Sequence, residues 1–347
     1  MQYLFQIIYF FIIFNCTTQI QPYLKAQGFD LMQCAYFYSG AAFGSYILQS
    51  CITKFHHNVK MNYLIKLGLG LFLILFWMLE QTICVFVSAV LLFALSKYLI
   101  NINEACCFKM KRQYGLLRVF AAIGMSLGAI CSIYRYHHLF YILIGLFISL
   151  LFMNLPFNDK QNDVNISFKW QVKDIYFISM LALLYAIGCA DQYIVTAKII
   201  ALKGNTLIIG WKMALQCLSE IPFYCLMNKL MKKFPFEKIM TFSILCFGLR
   251  FGLYGFFDNV ISILWVSLLQ AVSLPLMMSA SKYYILKLHP HQQGTQLKML
   301  TLFTSIALIV APLLYGLLQI IFTFDVILYG CALGCVVALM IQRKIDK

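Results

Sequence analysis

The chain contains about twelve apolar segments long enough to cross a lipid bilayer, and this pattern restricts its fold more than any other feature. A membrane-spanning helix needs about 20 apolar residues. Hydrophobic residues make up 62% of the 347 residues and charged residues only 11%, so a water-soluble domain is excluded. The segments lie near 3–21, 32–51, 61–79, 82–104, 116–135, 138–155, 175–193, 206–228, 239–257, 260–281, 297–319 and 324–342. We therefore expect an all-α, polytopic membrane protein.

Positive charge alternates between the connections that join these segments. With a cytoplasmic N-terminus, eighteen lysines and arginines fall in the inside connections and tails. The outside connections hold four, which are Lys25, Arg135, Lys198 and Lys203. This positive-inside bias predicts that both termini of a multi-pass plasma-membrane protein are cytoplasmic. Because the net charge of +15 follows the loops and forms no single patch, nucleic-acid binding is not expected.

The longest polar connection, 156–173, lies near the middle of the chain and separates six predicted spans from six more. We predict an N-terminal six-helix bundle over 1–155, a cytoplasmic linker over 156–173 and a C-terminal six-helix bundle over 174–347. The Lys54-Phe55 pair after the second span is echoed by Lys233-Phe234 after the eighth span. Such pseudo-symmetric halves place a solute site at their interface near the midplane of the membrane.

Seven ionisable residues lie within or at the margins of the apolar spans. They are Lys97, Glu104, Arg118, Asp191, Lys212, Glu220 and Arg250. A charge near the bilayer centre costs roughly 2.5 to 3.5 kcal/mol, so these side chains are expected to line a wet cavity or to pair with each other. They could also form ion pairs that only fix the packing of the helices. Lys97, Glu104 and Arg118 could instead lie at the membrane interface.

Two spans carry polar residues at helical spacing. The sets are Lys97, Asn101 and Glu104 in the fourth span, and Lys212, Gln216 and Glu220 in the eighth span. Steps of three or four residues place each set on one face of its helix. One face of each helix is therefore predicted to be polar.

Neither the cysteines nor the histidines indicate a metal or cofactor site. The thirteen cysteines include no CxxC pair, and the six histidines fall in connections between spans. No cofactor is expected, and no histidine is available as a proton carrier deep in the membrane.

The sequence resembles the major facilitator superfamily, and within it the branch of lactose-permease-like and nucleoside-proton symporters. In the first half, YGLLRVFAAIGMSLG is similar to the opening of that branch's fifth helix. The resemblance implies that Arg118 binds the substrate and that Glu104 is its acidic partner. In the second half, IGWKMALQCLSEIPF, CFGLRFG and CADQY resemble the eighth, ninth and seventh helices and place Glu220, Arg250 and Asp191 at the family's charged positions.

Two parts of the chain depart from the family pattern. In LLQAVSLP, Gln270 and Ser273 occupy the positions that resemble the tenth-helix histidine and glutamate of the sugar-transporting members. The usual proton relay is therefore incomplete. The loop ITKFHHNVK retains only a degenerate form of the superfamily's Gly-x-x-x-Asp-Arg signature.

The resemblance implies a secondary active transporter, and no enzyme, that moves a small polar solute by alternating access. The solute would be a sugar, a nucleoside or a small organic acid, with Glu220 coupling transport to protons. We expect a monomer in the lipid bilayer. The residues expected to bind the solute are Glu104, Arg118, Lys97, Asn101 and Gln216, and those expected in the charge network are Asp191, Glu220, Arg250, Lys212 and Gln270.

Three alternatives remain open at this stage. The absence of the tenth-helix histidine and glutamate favours a proton-independent facilitator or efflux carrier. A sensor derived from a transporter would share the fold without producing a flux. A membrane-embedded glycosyl- or acyltransferase usually needs a sizeable interfacial loop, whereas the predicted outside connections are short.

Overall fold

The computed structural model describes residues 2–53, 86–87, 90, 114–132, 172–288 and 293–345. Every regular element in these ranges is a helix. We number the helices in chain order among the described residues. They are α1 (Gln2–Ala26), α2 (Leu31–Thr53), α3 (Tyr114–Cys131), α4 (Val172–Ala190), α5 (Thr196–Ala201), α6 (Thr206–Lys233), α7 (Phe236–Phe256), α8 (Val260–Ser267), α9 (Gln270–Leu288), α10 (Gln293–Ile321) and α11 (Phe324–Ile345). We call α1 to α3 the first half of the chain and α4 to α11 the second half.

Nine of the predicted spans coincide with these helices, with ends that differ by a few residues. The seventh span is α4 and α5 joined by the π-helical turn Asp191–Val195, and the tenth span is divided into α8 and α9. The predicted spans at 61–79, 82–104 and 138–155 lie almost entirely outside the described residues. Lys97, Asn101 and Glu104 lie outside them as well, so the polar face predicted for the fourth span stays a prediction.

Six stretches of described helix are long and apolar enough to cross a membrane. They are Tyr3–Ala26, Val172–Ala201, Phe236–Phe256, Val260–Ile285, Thr304–Ile321 and Phe324–Ile345. Helix α6, although 28 residues long, is not among them. The polar residues of this helix, Lys212, Gln216 and Glu220 among them, lower its hydropathy.

The connections at 27–30, 202–205, 257–259 and 322–323 lie on one side of the molecule, because contacts between residues in or next to them join them there; we call this the Gly28 side. Lys198, close to the second of these connections, forms ion pairs with Asp258 at 3.0 Å and with Asp325 at 2.6 Å. Side-chain caps start several helices here. Asp30 and Gln33 each accept a hydrogen bond from the other's main-chain N–H at the start of α2, at 2.7 and 2.9 Å.

Small residues allow α1 and α3 to pack with their main chains close together. Gly124 and Gly128 of α3 face the main chain of Ile7 and Phe11 in α1, where a Cβ atom would collide with it. The amide of Asn15 donates to the main-chain oxygen of Gly128 at 3.3 Å. Within a membrane, such close approach replaces the hydrophobic effect as a source of helix association.

The two chain halves meet along two pairs of helices. Helix α2 packs on α10, and α3 packs on α6, while α1 makes its largest contact with α3. In the second half, α4 packs against α10 and α11, and α7 packs against α11 and α9. Helix α6 therefore lies between the first half and the interior of the second half, which brings its polar face to the boundary between them.

Candidate functional site

The polar face predicted on α6 is buried, and its residues form contacts with polar or charged side chains of the π-helical turn, α7 and α9. Lys212, Gln216 and Glu220 are 0%, 2% and 4% exposed. Their spacing of four residues aligns them along the helix axis. Tyr224, one further step of four residues along the same face, is also buried and donates a hydrogen bond to Glu220.

Lys212 and Gln216, at the N-terminal end of this face, contact Asp191, the first residue of the π-helical turn. The Lys212 ammonium lies 3.2 Å from the Asp191 carboxylate oxygen Oδ2 and donates to the Asp191 main-chain oxygen at 2.7 Å. The amide of Gln216 donates to the same Oδ2 at 2.8 Å and contacts the Tyr254 hydroxyl at 3.4 Å. A buried ion pair of this kind is compensated only when further hydrogen bonds satisfy both charges.

Further along this face, the side-chain amide of Gln270 on α9 bridges the carboxylate of Glu220 and the guanidinium of Arg250 on α7. Arg250 donates from Nη1 to Gln270 Oε1 at 2.7 Å, and Gln270 donates from Nε2 to Glu220 Oε1 at 2.8 Å. Gln270 thus satisfies an acid and a base at once. Because a neutral side-chain amide is neither an acid nor a base near neutral pH, this bridge can orient Glu220 without relaying a proton from it.

Three aromatic rings surround the Arg250 guanidinium. Its carbon Cζ lies 4.9 Å from the centre of the Phe247 ring, 5.0 Å from that of Phe251 and 6.0 Å from that of Tyr254. All three residues are at most 1% exposed, and Arg250 is 2% exposed. The negative faces of the rings stabilise a cation that has lost most of its water.

Arg118 reaches this cluster from the first half of the chain. It is 8% exposed on α3, and its charge acts on the Glu220 carboxylate together with that of Arg250. Helices α3 and α6 approach closely here, because Gly115 faces the main-chain oxygen of Tyr224. The predicted partnership of Arg118 with Glu104 involves a residue outside the described ranges.

Two irregular turns place residues of the cluster. The π-helical turn begins at Asp191, and a tight turn at Leu268 and Leu269 immediately precedes Gln270. Main-chain hydrogen bonds in the tight turn join residues three apart, as from Leu268 to Trp265 and from Leu269 to Val266. Loosened and tightened turns of this kind change the direction of side chains on an otherwise regular helix and are frequent at functional sites.

The structure brings together seven of the ten residues predicted for the site. These are Arg118, Asp191, Lys212, Gln216, Glu220, Arg250 and Gln270. Sequence reasoning missed Tyr224 and Tyr254, although each lies four residues beyond a predicted member, Glu220 or Arg250. Among the described residues, no group of three or more histidines, cysteines or acids could hold a metal ion.

Two buried polar atoms of the cluster form no hydrogen bond within the described part of the chain. They are Asp191 Oδ1 and Arg250 Nε. Buried polar atoms are rarely left in this state, so each one calls for an explanation such as a bound solute or a second arrangement of the site.

Comparison with known proteins identifies this architecture. The sequence model of the MFS_1 like family matches residues 3–314, and the chain belongs to that family. The chain also superposes on a solved structure of the nucleoside transporter NupG, with 15% identity, a TM-score of 0.72 and coverage of 100% of this chain and 99% of NupG. A search of curated proteins gave no match.

Other transporters have the same fold. The POT family transporter PepTSo superposes with 9% identity and a TM-score of 0.73, covering 99% of this chain and 96% of PepTSo. The human organic anion transporter MFSD10 superposes with 11% identity and a TM-score of 0.71, covering 98% of each chain. The protein is therefore a multi-pass membrane protein with the major facilitator fold, which confirms the predicted family and fold class.

Proposed function

We propose that the protein is a secondary active transporter that moves a small polar solute across the plasma membrane by alternating access, with protons as the coupling ion. The observation that carries this proposal is the position of Glu220. Its carboxylate lies at the boundary between the chain halves, hydrogen-bonded to Gln270 and Tyr224 and attracted by Arg118. Protonation would remove the negative charge that attracts Arg118 and would thereby weaken one link across the boundary.

The solute would bind beside the same cluster. Arg118 and Gln216, with Lys97, Asn101 and Glu104 of the fourth predicted span, would supply the donors and acceptors for it. These groups suit hydroxyls, amides or a carboxylate. The names of the structurally similar transporters include a nucleoside transporter and an organic anion transporter, which supports nucleosides and small organic acids as candidate solutes. Sugars stay candidates because of the resemblance to lactose-permease-like transporters.

The test is uptake of radiolabelled sugars, nucleosides and small carboxylates into proteoliposomes, with and without an inward proton gradient. We expect accumulation above equilibrium that collapses with an uncoupler. In Glu220→Gln, accumulation should be lost while equilibration of the solute continues. Glu237→Gln is the matched control, because it makes the same chemical change in the first turn of α7, outside the cluster.

Unchanged proton-driven accumulation in Glu220→Gln would contradict this assignment. Equilibration without accumulation in the unmodified protein would instead support a proton-independent facilitator or efflux carrier. The observation that favours this second candidate is the amide of Gln270 between Arg250 and Glu220, because it interrupts any proton relay between them.

We further infer two six-helix bundles over 1–155 and 174–347, a cytoplasmic linker over 156–173, cytoplasmic termini and a monomer that is not an enzyme. The distribution of charge supports this orientation. Basic residues gather at the helix ends opposite the Gly28 side, among them Lys173, Lys232, Lys233, Arg343 and Lys344. This distribution supports an orientation in which the Gly28 side faces the outside of the cell.

A further inference from the structure

The π-helical turn Asp191–Val195 is held by side chains from both halves of the chain. Its Asp191 main-chain oxygen accepts a hydrogen bond from Lys212 Nζ of α6 at 2.7 Å. Its Tyr193 main-chain oxygen accepts one from Gln21 Nε2 of α1 at 3.2 Å. A π turn breaks the regular α-helical pattern of main-chain hydrogen bonds, and side-chain donors stabilise it by binding carbonyl oxygens within it.

Tyr193 ties this turn to the start of α2. Its hydroxyl donates to the main-chain oxygen of Leu31, the first residue of α2. The ring of Tyr38 packs edge-on against the Tyr193 ring, with 6.2 Å between the ring centres. Tyr193 is 3% exposed, so the side chain is fully enclosed by these contacts. One residue of the second half is therefore fixed to both α1 and α2 on the Gly28 side.

Other contacts join the two halves on the same side. Ser39 of α2 donates to the main-chain oxygen of Ile309 in α10. Gly316 of α10 faces Ala35 and Met32 of α2, and a Cβ atom at this glycine would lie 2.7 Å from the Ala35 Cβ. The halves thus touch directly where Tyr193 lies.

The Asp191–Lys212 ion pair and the Tyr193 contact lie on the same short turn. Lys212 bridges the carboxylate and the main-chain oxygen of Asp191, so its ammonium stabilises the turn as well as the charge. A π turn contains about one more residue than the α-helical turn it replaces. Its return to α-helix would rotate the residues on one side relative to the other by about 100° and shift them by about 1.5 Å. Such a movement would withdraw the Tyr193 hydroxyl from Leu31.

We propose that Lys212, by holding the π-helical turn at Asp191, keeps Tyr193 latched to α2, so that the buried ion pair and the contact between the chain halves on the Gly28 side open together. Tyr193 and Lys212 are thus positioning residues for the conformational change. The trigger, a solute or proton that draws Lys212 away from Asp191, rests on the proposed function. The coupling itself does not need a solute.

Hydrogen-exchange mass spectrometry of the full-length protein in lipid nanodiscs tests the coupling. In Tyr193→Phe, the amides at the start of α2, from Leu31 to Ser39, should exchange about fivefold faster, the factor that corresponds to about 1 kcal/mol for one hydrogen bond. Tyr36→Phe is the matched control. Tyr36 lies on α2 and is 58% exposed, so the loss of its hydroxyl should leave the exchange rates of these amides unchanged.

The second arm asks whether Lys212 controls the same amides. We compare Lys212→Met with the double variant Lys212→Met/Asp191→Asn, which leaves no unpaired charge and so remains folded if the single variant does not. Both should accelerate exchange at the start of α2, although Lys212 itself lies on α6. In the double variant, which leaves no unpaired charge, the amides of α7 and α11 should keep their exchange rates.

Three results would overturn the proposal. Exchange at the start of α2 could be unchanged in Tyr193→Phe, or it could respond to Tyr193→Phe and not to the Lys212 variants. Acceleration that spreads equally over α7 and α11 in the double variant would indicate general loosening in place of a coupled contact. Since no solute is needed, failure to observe uptake would overturn the proposed function and leave this result standing.

Discussion

Lys212 carries its charge on a side chain with no exposed surface, and its only carboxylate partner in the described part of the chain is Asp191. Removing one member of such a pair costs more free energy than removing both. Together the two charges and their hydrogen bonds compensate the loss of water, whereas one charge alone does not. The pair is therefore worth more as a unit than either member is by itself.

We expect Lys212→Met and Asp191→Asn each to lower the free energy of unfolding by about 3 to 5 kcal/mol, because each leaves a buried, unpaired charge. The double variant should lose less than either single variant. Thermal unfolding of the purified protein in detergent, carried out on the two single variants and the double variant as a double-mutant cycle, measures these losses of stability.

Asp258→Asn is the control for this cycle. Asp258 also pairs with a lysine, Lys198, but its side chain is 72% exposed. Exposed ion pairs contribute at most about 1 kcal/mol, so the midpoint temperature of unfolding should change very little in Asp258→Asn. Additive losses in the Lys212 and Asp191 variants would show that the two charges are stabilised independently.

At the scale of single elements, α1 and α3 depend on two glycines for their close packing. Gly124→Ala and Gly128→Ala should each destabilise the protein by about 1 to 3 kcal/mol, because the added methyl group meets the main chain of α1 and forces the helices apart. Thermal unfolding in detergent measures the loss. Gly188→Ala in α4 is the matched control, since a Cβ there has nothing within 4 Å.

An unchanged midpoint in both α3 variants would mean that α1 relaxes to accept the methyl groups. An equal loss in Gly188→Ala would point to a general cost of replacing glycine in these helices.

The elements also show what the sequence could predict of the site. The spacing of Lys212, Gln216 and Glu220 predicted one polar face, and the structure confirms it, because side chains four residues apart on a helix must align. The irregular turns were not predictable. LWVSLLQAV is an apolar segment interrupted only by Ser267 and Gln270, and it contains no glycine or proline that would mark the break before Gln270. The π turn likewise depends on donors from α1 and α6, which no local pattern contains.

The Arg118 contact was missed for a related reason. The family resemblance implies Glu104 of the fourth span as the partner of Arg118; Glu104 lies outside the described residues, so that pairing stays a prediction. In the structure, the charge of Arg118 also acts on Glu220 of the other half. Contacts between distant segments depend on how the helices pack, and one sequence carries no record of that packing. Family resemblance supplied the position of Arg118 but not this pairing.

At the scale of the whole molecule, the contact between α2 and α10 decides how closely the two halves meet on the Gly28 side. Gly316→Leu should weaken that contact, because the new side chain would occupy the space of Ala35 and Met32. If the halves alternate between two arrangements, the variant should favour the one in which this contact is open. Hydrogen exchange at the start of α2 should then rise by about tenfold, a factor equivalent to about 1.4 kcal/mol.

Gly330→Leu on α11 is the control, since nothing lies within 4 Å of a Cβ at that position. Unaltered exchange in Gly316→Leu would show that α2 and α10 separate readily in the unmodified protein, so that their contact does not hold the halves together.

The overall architecture was the most predictable level. Of the twelve spans predicted from segment length and hydropathy, the nine that fall within the described residues are helical in the structure, because the bilayer imposes the same length on every span. The division into two bundles and the orientation stay predictions.

The low hydropathy of α6 has a consequence for the insertion of the chain into the membrane during its synthesis. A helix with a lysine in its second turn and a glutamate near its middle partitions poorly from the translocon into lipid, because a charge at the centre of a span costs about 2.5 to 3.5 kcal/mol. Asp191 is synthesised about twenty residues before Lys212 and lies between α4 and α5, the helices that precede α6. The nascent chain can thus offer the lysine a counter-ion at the moment of insertion, and the order of biosynthesis becomes part of what makes α6 a transmembrane helix.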